Sequence, residues 1–144
     1  MACRTFALTV SVDARPEQVT DFLAALDRHV GLHPYLESAR RTEAGLGPEG
    51  PYQVWAVVER PPGLRIRFTA TVVRCTPTSL RTYVAAPLTR LQVDMVATRG
   101  EGLVTVAEAC TVTAPWPLVR YAVRNARRAH ERTFALLGAA LGEE

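Results

Sequence analysis

The chemistry-bearing side chains of this chain are few, and most stand alone in apolar surroundings. In the run 103–113, Glu108 shares a face with Val104, Val106, Cys110 and Val112, opposite Leu103, Thr105, Ala107, Ala109 and Thr111. If the Val104 face points inward, Glu108 is a buried carboxylate suited to general acid or base work. The alternatives are an arginine partner, or a strand facing the other way. Asn125, the sole asparagine, falls in the middle of a helical stripe. Its amide can serve a ligand carbonyl as donor and acceptor, or make a structural hydrogen bond to a sheet. Tyr121 flanks that stripe one turn earlier, with a ring that packs and a hydroxyl that donates. His33 has an intrinsic pKa suited to proton transfer near neutrality. His29 and His130 read as helix-surface residues. Trp55, Val57 and Glu59 share one face of 52–60, and Val54, Ala56 and Val58 the other. Which face is inward stays open; if it is the first, Trp55 and Glu59 line the interior. Tyr83, beside Arg81 on its strand face, is a further candidate.

Other chemistries are disfavoured. The histidines show neither HxH nor HExxH spacing, so no metal site is expected. Cys3, Cys75 and Cys110 form no CxxC pair, which argues against a disulfide framework or a zinc knuckle. There is no GxSxG, and Ser11, Ser38 and Ser79 lack a partner pattern. All 17 cations are Arg, so no lysine is available for a Schiff base. A literal GxGxxG, Gly45, Gly47 and Gly50, is followed by Pro51 and a strand-like run instead of a helix. It reads as a hairpin loop, not a phosphate cradle.

The positioning elements follow from periodicity. Residues 4–13 alternate as a half-buried strand. Asp13, Pro16 and Glu17 introduce a helix carrying Val19, Phe22, Leu23 and Leu26, which should end near Arg28 to Gly31. A short second helix or turn is expected at 33–36. Strands are predicted at 52–60, 64–75, 79–86, 90–98 and 103–113, separated by proline and glycine turns. In 64–75, Leu64, Ile66, Phe68, Ala70 and Val72 face one side; in 90–98, Leu91, Val93, Met95 and Ala97 do. A long helix over 118–141 places Leu118, Ala122, Asn125, Ala129, Thr133, Leu136 and Ala140 on one stripe. That stripe is mostly small, which means either close packing or empty space beneath it. Arg120, Arg124, Arg127, Arg128 and Glu131 read as a charged outer face.

Composition bounds the rest. The 144 residues fit one domain, 1–144, with 48% hydrophobic and 22% charged residues. A net charge of +3 is far from that of a dedicated nucleic-acid binder, so no nucleic acid partner is expected. No apolar run reaches the ~18 residues of a membrane span. The N-terminus lacks a signal peptide's apolar stretch, and a cytoplasmic setting is expected.

The segments VSVDARPEQVTDFLAALDRH (10–29), LHPYLESAR (32–40) and APWPL (114–118) resemble the START-like superfamily, including its polyketide cyclase/dehydrase branch and the Bet v 1-like proteins. One departure is Leu32, where relatives often carry Trp before His-Pro. The resemblance implies an α+β helix-grip fold. A curved antiparallel sheet of about seven strands would wrap a long C-terminal helix, with two short helices after the first strand and an apolar cavity between sheet and helix. It further implies an apolar small-molecule ligand, polyketide- or lipid-like. The activity implied is a cofactor-independent cyclase or dehydratase of secondary metabolism, or else a carrier or sensor of such a ligand. The residues expected to do chemistry are Glu108, His33 and Asn125. Those expected to line the cavity are Tyr35, Trp55, Glu59, Phe68, Tyr83, Met95, Tyr121, Ala122 and Ala129. No cofactor is expected, and a homodimer is compatible with this reading.

Overall fold

Strict alternation builds most of the sheet. In the computed structural model, which describes residues 1–142, every second residue of β7 (Val104–Ala114) is buried, from Val104 through Glu108 to Ala114. The other strands are β1 (Ala2–Val12), β2 (Leu36–Gly47), β3 (Gly50–Glu59), β4 (Ile66–Cys75), β5 (Ser79–Ala86) and β6 (Thr89–Arg99). The two helices are α1 (Pro16–Ala24) and α2 (Trp116–Gly142). All strands join one antiparallel sheet in the order β1-β7-β6-β5-β4-β3-β2. Consecutive strands β2 to β7 form a meander, and β1 returns along β7 with Leu8 opposite Glu108.

The sheet curves around α2, which packs on β1 and β7. This is the helix-grip arrangement. The core joins Phe6 and Val12 of β1, Val19, Phe22 and Leu23 of α1, and Phe134, Leu137 and Leu141 of α2 to the inward residues of the sheet. Among the described residues, no helix is long and apolar enough to cross a membrane.

Three local expectations need correction. The segment 36–47 is a strand, where the sequence pattern assigns no element to 37–44 and a loop to 45–51. As an edge strand it exposes Glu37, Arg40, Arg41 and Glu43, and register shifts between Leu36 and Ser38 and between Arg41 and Glu43 break its alternation. Gly45 and Gly47 therefore lie in β2, with the turn falling between Gly47 and Gly50. A Cβ on Gly45 would meet the Tyr52 ring at 3.0 Å, so glycine at 45 serves strand packing. The first helix stops at Ala24, where the Ala25 N–H bonds to the Phe22 carbonyl. A 3-10 helix (Leu26–His29) follows it, and 31–35 runs through turns without the short helix expected at 33–36.

Candidate functional site

Between the concave sheet face and the first half of α2 lies a cavity of about 690 Å³. The small side chains of Ala122, Ala126 and Ala129 leave this space open along α2. From the sheet, Val57, Phe68, Ala70, Val84, Leu91 and Met95 supply apolar wall. At its open end stand Pro61, Leu64, Leu88 and Leu118, and Leu64 and Leu88 are 50% and 66% exposed. Leu88 holds φ +60, a conformation that favours glycine, at the turn between β5 and β6. Tyr121 closes part of this end, its hydroxyl donating to the Pro62 carbonyl at 3.3 Å.

Polar groups gather farther in. His130 Nδ1–H donates to Glu108 Oε1 at 2.6 Å. Its side chain is 21% exposed, against 2% for Glu108, so the imidazole is the more accessible of the two to a ligand. Phe6 meets the His130 ring edge-on at a centroid distance of 5.9 Å. Burial alone would lower the His130 pKa; the charge and hydrogen bond of Glu108, with the charge of Glu59, outweigh it and raise the pKa above its ordinary value.

A second pair faces the first. His33 Nδ1 accepts the Tyr35 backbone N–H at 3.2 Å, so the neutral ring carries its proton on Nε2. That Nε2 is 3.4 Å from Glu59 Oε2. The His33 and His130 ring centroids are 6.3 Å apart. Burial, then the charges of His130 and His29, pushes the His33 pKa down to about 3. Burial pushes Glu59 up to about 7, against the opposing pull of His130. This wall therefore holds a His130 whose cationic form is favoured, a His33 that is neutral near neutrality and a Glu59 shared there between its two protonation states.

Most residues singled out from the sequence come together here. Glu108, His33, Asn125, Tyr35, Glu59 and Phe68 line the cavity, as do Met95, Tyr121, Ala122 and Ala129. Asn125 Nδ2 is buried without a hydrogen-bond partner, and so is Glu108 Oε2. Two expected lining residues lie elsewhere. Trp55 is on the same inward face as Val57 and Glu59, but it borders a separate groove with Asp21, Ala24 and Cys75. Tyr83 is on the outer face, 42% exposed, opposite Thr71 and Gln92.

His130 and His29 are not helix-surface residues; both line the cavity. His29 Nε2 also reaches the Phe22 carbonyl at 3.1 Å, which accepts the Ala25 N–H as well at the end of α1, and its ring stacks on Phe22. The signal for His130 was in the spacing of α2. The buried positions Val119, Thr133, Leu137 and Leu141 follow a stripe through Ala122, Ala126 and His130, rotated from the one drawn through Leu136 and Ala140. Among the described residues, no group of three or more His, Cys, Asp or Glu has the geometry to hold a metal ion.

No family model matches the sequence, and no curated protein matches it. Solved structures do match. The Zhui aromatase/cyclase from Streptomyces sp. R1128 superposes with a TM-score of 0.74 at 21% identity, covering 99% of this chain and 93% of that one. Ara h 8.0201 gives 0.75 at 12% identity, covering 99% of this chain and 100% of its own. A START superfamily protein from Mycobacterium smegmatis gives 0.75 at 14% identity, over 96% and 97% of the two chains. The START-like likeness read from the sequence thus holds for the fold.

Proposed function

We propose that the protein binds an elongated apolar molecule between sheet and α2 and moves protons on it, as a cofactor-independent enzyme of the cyclase or dehydratase kind. The observation that carries this reading is the facing of two differently tuned pairs, Glu108–His130 and His33–Glu59, at the inner end of a mostly apolar cavity. A cavity that only stores a ligand has no need of a histidine held toward its cation beside a carboxyl pushed up to about 7. The aromatase/cyclase neighbour agrees with this reading through fold alone.

In this scheme the Glu59 carboxylate takes a proton from a carbon beside a ligand carbonyl. His33 Nε2–H faces Glu59 and orients it. The resulting enolate carbon bonds to a second carbonyl carbon of the same ligand, and His130 gives its Nε2 proton to the oxygen that becomes an alcohol. Glu59 ends protonated and His130 neutral; proton return from Glu59 to His130 restores the start. Glu108 acts through His130 as a positioning residue, holding the ring's tautomer and charge. The apolar wall holds the ligand folded, so the reacting carbons meet.

The test is incubation of the protein with a small-molecule extract of its source cells, followed by chromatography with mass detection. Consumption of a compound, or its shift in retention at unchanged mass or at loss of water, is expected. His130→Gln should slow that conversion by about 10²-fold or more, the range for removing a general acid. Enrichment of an unaltered compound in the bound fraction would instead make the protein a carrier or sensor.

A further inference from the structure

We infer that the cavity selects an uncharged ligand whose inner end is a hydroxyl or carbonyl oxygen, and that Glu59 with Glu108 excludes carboxylate-headed and phosphate-headed amphiphiles. This rests on the cavity being a ligand site, as proposed above, and names the class of molecule it takes. From Leu118 at the open end to His130 is twelve residues of helix, about 18 Å of rise. The open end offers Leu64, Leu88 and Leu118, and the polar groups stand at the inner end. A ligand with one polar terminus therefore enters with that terminus leading.

Charge decides what the terminus is. The inner wall already contains two carboxyl groups, Glu59 and Glu108. The one imidazolium there, His130, is matched by Glu108 at 2.6 Å and leaves no surplus positive charge. His33 and His29 are held neutral by burial. The chain has no lysine, and the two arginines that border the cavity, Arg65 and Arg67, do so beside Leu64 at its open end. Arg65 donates twice to Glu37, and Arg67 lies on the exposed side of β4. Glu59 itself reports the outcome for an anion here, since burial drives its carboxyl toward the neutral form. A hydroxyl or ketone oxygen meets donors and acceptors instead: His130, Glu59, His33 and the unpaired Asn125 amide.

The experiment displaces Nile red, an uncharged fluorophore, with dodecan-1-ol or dodecanoate at pH 8. Dodecan-1-ol is expected to displace the probe at a concentration at least tenfold below that needed for dodecanoate. Glu59→Gln should improve dodecanoate at least threefold and narrow the alcohol-to-dodecanoate ratio by at least that factor. Dodecanoate acting at an equal or lower concentration than the alcohol overturns the inference and leaves the ligand cavity standing. Failure of Nile red to bind at all overturns the cavity reading and this one with it. The wild-type ratio decides the matter even if the variant does not fold.

Discussion

The two halves of α2 do opposite things with the same helical geometry. From Leu118 to His130 the inward face carries Ala122, Ala126 and Ala129 and stands off from the sheet, leaving the cavity. From Thr133 to Leu141 it carries Phe134, Leu137 and Leu141, all buried in the core beside β1 and α1. The Gln18 side chain donates to the Leu141 carbonyl at 3.4 Å and ties that end to α1. One half of a single helix thus anchors the fold while the other forgoes packing to make a site. His130 sits at the junction, where the rigid half fixes its backbone and the open half exposes its ring.

The sharpest break of this contrast is Leu137→Ala. Leu137 is fully buried, and truncation should destabilise the protein by about 3 kcal/mol in urea unfolding, with Nile red affinity of the folded protein within twofold. The converse is Ala126→Phe, which fills cavity instead of emptying core. It should weaken Nile red binding at least tenfold, with a change in unfolding free energy of about 1 kcal/mol or less. Equal stability losses from the two would erase the distinction between the halves.

A smaller effect separates the buried histidines by pH. In the folded protein burial lowers the His29 pKa to about 4, the Phe22 carbonyl bond opposing it only in part. The unfolded chain takes up that proton from about pH 6.5 downward. His29 therefore contributes stability that is present above pH 6.5 and lost as pH falls toward 4. His29→Gln keeps a donor for the Phe22 carbonyl but cannot titrate. The stability gap between wild type and variant should shift in favour of wild type as pH rises from 4 to 6.5, read as melting temperatures across that range.

The same contrast explains what could be read from sequence. Strands β1 and β3–β7 announce themselves because one face is buried, so a period of two is written into pairs such as Val104 and Thr105. β2 has no such writing: at the sheet edge, bulged and charged, nothing forces its residues to alternate. Glu108 was legible because its neighbours Val106 and Cys110 are apolar on the same face. Its partner was not. His130 lies among Arg127, Arg128, Glu131 and Arg132, and its local surroundings resemble a solvated helix face. Only the phase of the whole helix, set by Leu137 and Leu141 against the core, turns it inward. The pairing of His33 with Glu59 depends on a turn, 31–35, that carries one residue across to the end of a distant strand. No local pattern encodes such a contact.

The most direct test is a nuclear magnetic resonance titration of the three imidazoles in protein with labelled histidine, in wild type and in Glu108→Gln. His130 should titrate above 6.5 in wild type and at a lower pH in the variant, while His33 and His29 stay neutral down to pH 5 in wild type. A His130 that titrates at or below 6.5, or whose titration ignores Glu108→Gln, would contradict the existence of a cationic acid in the cavity wall.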